Sequence, residues 1–226
     1  FMMGVDKVAA QKVVGEGAAN LEPWFPIPGW GYSEAELKQL PGWRQPHDAD
    51  LAAAKKLLAD AGYPNGFDLV VLSRTNQVTK DAATFFTGQM QQMGIRATVE
   101  LSEDANFWPR MREKRYEASA FTPSAAVPDP IWFGRFLAPK AAFNFSGNDA
   151  DPKLNELWDA QLKTVDESKR KAIVRELANH LQNESIPYVP LGWPQRFIGV
   201  ASQVRGFTPG VSDYANDTLE VVWLAQ

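Results

Sequence analysis

The chain has 226 residues, which is enough for one large domain or two small ones. Apolar residues make up 45% and charged residues 22% of the chain, which are ordinary proportions for a globular domain. The formal net charge of -4 argues against a nucleic-acid partner, and the absence of cysteine excludes disulfides, thiol nucleophiles and cysteine metal sites.

The first predicted element is a helix over residues 1–14, which carries apolar residues at near-helical spacing. It opens like the middle of a longer chain, so we expect the sequence to be a fragment. Residues 15–46 are rich in proline, glycine and tryptophan and are predicted to be irregular, apart from one helical turn capped by Ser33.

A sharply bounded helix is predicted over residues 48–61, with Asp48 as its N-cap. Gly62 can take the left-handed conformation that ends a helix, and Pro64 prevents its continuation. The turn dipeptide Asn65-Gly66 then leads into a buried strand over residues 67–72.

The next segments alternate between strand and helix. An amphipathic helix over 78–93 and a strand over 95–101 complete a βαβ unit, which predicts parallel strands. A helix over 104–114, with Asp104 as its cap, and a strand over 116–121 follow.

The last third of the chain is predicted to hold two helices, which begin at Asp151 and Asp166. A strand follows over 186–193, with a further possible strand at 196–201 before the tail. The fold class is therefore α/β.

No residue pattern indicates catalysis or metal binding. The two histidines, His47 and His180, are interpreted as solvent-facing, and no other metal-binding side chain lies at ligand spacing from them. Asp166 and Arg170 are predicted to form a surface ion pair. No catalytic residue, metal ligand or cofactor is assigned.

Several motifs resemble one known family. The stretch DADLAAAKKLLADAGYPNGFDLVVL is similar to a signature of the extracytoplasmic solute-binding proteins of the peptide/nickel/opine type, family 5. Four further stretches resemble segments of that family and occur in the same order as there. MGVDKVAAQKVV lies before the signature, and MQQMGIRATVEL, the loop PDPIWF and the segment from FNFSGNDADPKLNELW to IPYVPL lie after it. The resemblance extends over essentially the whole chain.

The resemblance implies a periplasmic-binding-protein type II-like lobe with a mixed sheet flanked by helices. Residues 1–203 would form the C-terminal ligand-binding lobe, and residues 204–226 a tail that returns toward a missing N-terminal lobe. The protein would be a non-enzymatic component of an ABC importer in the periplasm or elsewhere outside the cytoplasm. It would capture a small solute (oligopeptide-like, opine, sugar or chelate) between two lobes and deliver it to permease subunits.

The ligand-binding residues are expected in the loop after strand 116–121 and at the end of strand 186–193. In peptide-binding relatives an aspartate in this loop holds the free α-amine of the ligand, and here that position is Ala126. A free peptide amine is therefore not expected to be the recognised feature. The candidate ligand-binding residues are Thr122, Ser124, Ala126, Val127, Asp129, Trp132 and Trp193.

Three alternatives remain open. The lobe could belong to a solute sensor that presents it to a receptor, which the sequence does not separate from transport. Asp129 precedes Pro130 and could serve only to form a turn. The chain could also be a hydrolase or transferase domain for small molecules, with carboxylates that cluster in space.

Overall fold

The computed structural model describes residues 1–123, 127–138, 140–146, 150–195, 197–209 and 219–225. The α/β class is confirmed. The α-helices are α1 (Lys7–Val13), α2 (Glu34–Leu37), α3 (Asp48–Asp60), α4 (Gln77–Gln92), α5 (Asp104–Arg112), α6 (Gly134–Leu137), α7 (Pro152–Lys163) and α8 (Glu167–His180). The strands are β1 (Asp68–Arg74), β2 (Arg96–Ser102), β3 (Ala118–Ala120), β4 (Val204–Arg205) and β5 (Trp223–Leu224).

The main sheet has the strand order β2-β1-β3 and is parallel throughout. Val71 in the central strand lies opposite Val99 in β2 and Ala118 in β3. The predicted βαβ unit is confirmed, with α4 as the crossover helix. Within the described residues β3 is paired on one side only, so that it forms an edge of this sheet. The short strands β4 and β5 form a separate antiparallel pair.

The predicted helix stop before β1 is confirmed. Gly62 has a φ of +92°, and its N–H donates to the carbonyl of Ala59 at 2.9 Å. The N–H of Tyr63 donates to the carbonyl of Leu58 at 3.0 Å, which completes a Schellman motif. A turn at Gly66, with a φ of +67°, then sends the chain into β1.

The described residues form three hydrophobic clusters, of which the smallest consists of Leu72, Phe107, Met111 and Phe145. The sheet cluster packs β1, β2 and α4 with residues from α3 and from before α1, and its buried members are Val5, Ala54, Leu69, Val71, Ala83, Met90, Met93, Ile95 and Ala97. The aromatic cluster packs α7 and α8 against loops, and its buried members are Met2, Trp24, Phe25, Trp43, Phe133, Phe136, Leu137, Leu154, Leu157, Trp158, Val174, Leu177, Ala178 and Leu181.

One predicted helix start and two predicted helix caps are wrong. α1 begins only at Lys7, because Asp6 has an extended backbone and its side chain caps the N–H of Ala9. Asp48 and Asp104 are not caps but the first residues of α3 and α5. The caps at Ser33, Asp151 and Asp166 are confirmed by hydrogen bonds from their side chains to backbone N–H groups.

The predicted strand over 186–193 does not form. Its prolines, Pro187 and Pro190, have no N–H to donate to a ladder, and only Trp193 makes an isolated bridge, to Asn20. Residues 197–200 carry no regular structure either, and Arg196 of that possible strand lies outside the described residues. In the stretches that the structure describes, no helix is long and apolar enough to cross a membrane.

Candidate functional site

A cavity of about 440 Å³ is lined by the edge strand β3, by residues 121–123 after it, and by the extended segment 186–194. The segment that was predicted as a strand, residues 186–193, therefore lines this cavity together with β3. Aromatic side chains are prominent in its wall: Trp24, Phe86, Phe133, Phe136, Phe145 and Trp193. An apolar wall with a few polar groups is the usual character of a small-molecule site.

The two tyrosines of the wall use their hydroxyls within the protein. Tyr116 donates to the carbonyl of Phe145 at 2.6 Å, and Tyr188 donates to the carbonyl of Phe136 at 3.3 Å. Burial raises the pKa of Tyr116 and raises that of Tyr188 to about 12. Both phenols are therefore uncharged at neutral pH.

The backbone of the segment 186–194 is fixed at both ends. A turn of π-helix, Leu181–Ser185, extends α8 and ends at Ile186, which has a φ of +32°. This is an unfavourable conformation for a β-branched residue. At the other end Trp193 and Asn20 exchange two backbone hydrogen bonds, of 2.8 and 2.9 Å.

A buried carboxylate organises the loop that brings Trp24 to the cavity. Glu22 accepts hydrogen bonds from the N–H groups of Trp24 at 3.3 Å, Phe25 at 3.4 Å and Tyr32 at 2.5 Å. Burial raises the pKa of Glu22, and the three N–H donors oppose that shift. The indole N–H of Trp24 donates to Gln182 at 3.2 Å, which ties the loop to the π-helical turn.

Asp129 anchors its loop to α8. Its carboxylate accepts two hydrogen bonds from Arg170, at 2.8 and 2.6 Å, and also caps the N–H of Ile131 at 2.8 Å. The predicted pair between Asp166 and Arg170 is therefore wrong, because Arg170 binds Asp129 instead. The hydrogen bonds from Arg170 hold the pKa of Asp129 below its ordinary value.

The predicted site residues fall into three groups. Thr122 and Trp193 line the cavity. Three others, Val127, Asp129 and Trp132, are not part of the cavity wall. Val127 is 43% exposed, and Asp129 faces α8. The ring of Trp132 stacks under the guanidinium of Arg135, at 4.4 Å. Two others, Ser124 and Ala126, lie outside the described residues.

The interpretation of both histidines as solvent-facing is wrong. The side chain of His180 is only 10% exposed, and its Nε2 lies 2.8 Å from the carboxylate of Asp151. Burial would raise the pKa of Asp151, but hydrogen bonds from Leu154, Ser185 and His180 lower it to about 2. Both ring nitrogens of His47 are shielded from solvent. Among the residues that the structure describes, no group of three or more His, Asp or Glu side chains could hold a metal ion.

Sequence reasoning missed several residues of this site. Glu22 lies in an irregular, proline-rich loop, where no periodicity distinguishes a buried carboxylate from an exposed one. Ser119 was part of a predicted strand, but no sequence signal marked its hydroxyl as buried and unpaired. The proline spacing in 186–194 was the one available sign that this segment is not a paired strand.

Comparison with known proteins gives a consistent result. The family model described as "bacterial extracellular solute-binding proteins, family 5 Middle" matches residues 1–145. Heme-binding protein A of Haemophilus influenzae is 26% identical over 221 residues, which cover 93% of this chain and 38% of the relative. The glutathione-binding protein GsiB of Salmonella choleraesuis is 29% identical over 161 residues, which cover 65% of this chain and 30% of the relative.

The fold also matches solved structures. The dipeptide-binding protein of Pseudoalteromonas sp. SM9913, in complex with Met-Leu, superposes with a TM-score of 0.77 at 22% identity, covering 99% of this chain and 44% of that one. The fold is therefore that of a type II periplasmic binding protein. The chain spans less than half of the length of these relatives.

Proposed function

The chain belongs to the bacterial extracellular solute-binding proteins of family 5, and we propose that it is the C-terminal lobe of an ABC importer's solute-binding protein. In this proposal residues 1–203 hold the ligand-binding surface, and residues 204–226 return toward an N-terminal lobe. The protein captures a small solute between the two lobes outside the cytoplasm and delivers it to permease subunits.

The observation that carries the proposal is the aromatic cavity along β3 and the segment 186–194. Strand β3 is an edge of the described sheet, so its free backbone groups are available for an extended ligand. The proposed ligand-binding segment is the loop after β3, with Thr122, Ser124, Ala126, Val127, Asp129 and Trp132, together with Trp193. Of the described members, Thr122 and Trp193 line the cavity. Asp129 would act there by positioning the loop through Arg170.

The relatives suggest the class of solute. The names of the Haemophilus and Salmonella proteins specify heme and glutathione, and the Pseudoalteromonas structure holds the dipeptide Met-Leu. Because Ala126 occupies the position of the amine-binding aspartate, we propose that this protein does not depend on a free peptide amine. Opines, sugars, modified peptides and chelates remain consistent with this cavity.

Binding is preferred to catalysis as the function. Three carboxylates make ion pairs outside the cavity wall: Asp129 binds Arg170, Asp151 binds His180, and Asp104 binds Arg74. The similar proteins above are also named as binding proteins.

Mass spectrometry of the full-length protein tests the proposal. We expect the natively purified protein to release one small solute on denaturation, unchanged in mass after prolonged incubation with the protein. Re-addition of that solute should raise the melting temperature of the stripped protein. A solute that is converted to a product would favour the enzyme alternative, and the absence of any bound solute, with no thermal shift, would contradict the proposal.

A further inference from the structure

The cavity wall carries little charge. Within the described part of the chain, Glu117 is the one acidic or basic side chain in the wall. It is exposed, and its carboxylate accepts a hydrogen bond from the N–H of Val70 at 2.6 Å. The phenols of Tyr116 and Tyr188 are neutral and donate to backbone carbonyls. An anionic ligand group in this cavity would lose its hydration without meeting a basic side chain among the described wall residues, and a cationic group would meet only the exposed carboxylate of Glu117.

Two polar atoms of the wall lack hydrogen-bond partners. The hydroxyl of Ser119 and the indole Nε1 of Trp193 are both shielded from solvent, and neither finds a partner among the residues described. Buried polar groups are nearly always paired, because an unpaired group has lost its water and gained nothing in return. Other unpaired atoms lie elsewhere in the described structure, but these two belong to residues of one cavity wall, where a bound molecule is a candidate partner for both.

Packing alone does not account for the unpaired indole. Two other tryptophans have paired indoles: Nε1 of Trp24 donates to Gln182 at 3.2 Å, and Nε1 of Trp43 donates to the carbonyl of Leu21 at 3.0 Å. The backbone of Trp193 is held by its two hydrogen bonds with Asn20. Its ring makes an edge contact with Phe133, at 5.4 Å between centroids. The ring and backbone of Trp193 are therefore fixed by neighbouring residues, whereas its indole N–H makes no hydrogen bond within the described residues.

We propose that the cavity receives an uncharged, apolar group of the solute, and that a carbonyl oxygen of this group accepts a hydrogen bond from Trp193 Nε1. The hydroxyl of Ser119 supplies a second polar contact to the same group. This inference rests on the proposed function, and it defines the ligand class of that site: a hydrophobic acyl or peptide-like group without formal charge. The indole donor fixes the orientation of the group, and the aromatic wall binds its apolar surface.

The test uses the full-length protein and isothermal titration with N-acetyl-phenylalanyl-leucinamide, which is apolar, uncharged and rich in carbonyls. Trp193→Phe keeps an aromatic ring and removes the donor. We expect this variant to bind the probe about tenfold more weakly, equivalent to about 1.4 kcal/mol. Its melting temperature without ligand should be unchanged or higher, because a buried unpaired donor has been removed.

Trp43→Phe is the matched control, since its indole N–H is paired inside the protein and the residue is not part of the cavity wall. We expect this variant to melt at a lower temperature and to bind the probe within twofold of the wild type. If Trp193→Phe instead behaves like Trp43→Phe, with lower stability and unchanged affinity, the indole has a structural role and the inference is wrong.

A second arm separates this inference from the proposed function. N-acetyl-lysyl-glutamamide has the same blocked backbone but two charged side chains, and we expect it to bind at least tenfold more weakly. Equal or tighter binding of this charged probe would overturn the inference and leave the solute-binding function intact. The same conclusion follows if neither probe binds while a co-purifying solute is found in the protein. If neither probe nor any co-purifying solute binds, the proposed function fails with it.

Discussion

Two regions of the protein are stabilised in different ways. The sheet region comprises residues 48–120. The region that we call the loop region comprises the described residues of 19–44 and 129–193, in which long loops pack against α7 and α8. In the sheet region, β1 pairs with β2 and β3 in continuous parallel registers, and helices of regular amphipathic pattern cover them. In the loop region the important contacts join residues that are far apart in sequence. Trp24 and Gln182 are separated by 158 positions, and Asp129 and Arg170 by 41.

This difference determines which region has polar groups free to bind a ligand. A regular ladder satisfies its own backbone groups, so that the sheet region has few free groups to offer a ligand. In the loop region, individual side chains such as Glu22 accept the hydrogen bonds of the backbone instead. This region also contributes to the wall of the cavity and contains the unpaired indole of Trp193. The edge strand β3 is where the two regions meet.

Among the glycines of the sheet region, Gly66 leaves the least room for a side chain. A Cβ atom there would overlap the carbonyl oxygen of Gly94, and the backbone has a φ of +67°. We expect Gly66→Ala to lower the free energy of unfolding by about 3 kcal/mol, measured by urea denaturation.

Gly62→Ala is the control for this substitution. Gly62 also has a positive φ, of +92°, but a Cβ there would meet no atom within 4 Å. It should therefore cost only about 1 kcal/mol, from the left-handed backbone alone. Equal losses at the two glycines would show that the close approach of Gly66 to Gly94 has no energetic importance.

In the loop region, Glu22 is expected to be the most important single side chain. Glu22→Ala leaves the N–H groups of Trp24, Phe25 and Tyr32 without their acceptor, which should cost about 2–3 kcal/mol. Glu156→Ala is the control, because Glu156 is 69% exposed and its ion pair with Lys153 should contribute only about 0.2–1 kcal/mol. A loss at Glu22 no larger than that at Glu156 would contradict the organising role of Glu22.

The anchor between Asp129 and α8 should have a somewhat smaller effect. Arg170→Met removes two hydrogen bonds to Asp129 and others to Gln161, and we expect a loss of about 2 kcal/mol in thermal or urea unfolding. Arg115→Met, which disrupts an exposed pair with Glu113, is expected to cost at most about 1 kcal/mol. If the two arginines are equivalent, the loop of Asp129 does not depend on its contact with α8.

Lys7 provides an effect of opposite sign. Its amine is fully buried without a hydrogen-bond partner in the described structure, and burial lowers its pKa to about 7. We expect Lys7→Met to raise the stability at pH 7, because the folded chain no longer has to bury an amine without a hydrogen-bond partner. Lys55→Met, at an exposed position on α3, should leave it unchanged.

The pH dependence of Lys7 has a definite direction. Between pH 7 and its ordinary pKa of 10.5 the unfolded chain binds more protons than the folded chain, so that wild-type stability should rise with pH in this window. The rise should be absent in Lys7→Met. A wild type with no such rise would mean that the amine is solvated or paired in solution.

The sequence was a good guide to the sheet region because its signals are local. The stop at Gly62, the turn at Gly66 and the parallel βαβ unit each depend on residues within about 35 positions of one another. All three are confirmed. Asp48 and Asp104 were misplaced by a single position, because a neighbouring residue takes the cap.

The loop region could be predicted only in part. Nothing local indicates that Arg170 binds Asp129 rather than Asp166, since a helical spacing of four residues favours the wrong pair. His180 was misjudged for the same reason, because its partner Asp151 is 29 positions away. The family resemblance supplied what local patterns could not, namely the family, which the match over residues 1–145 confirms. The ligand-binding loop after β3 and the two-lobed context stay predictions.

The most direct test of the central claim is a crystal structure of the full-length protein with its co-purifying solute. We predict that the solute lies against β3 and Thr122, with an oxygen atom within hydrogen-bond distance of Trp193 Nε1. A solute bound elsewhere, with this cavity empty in the same crystal, would contradict the account.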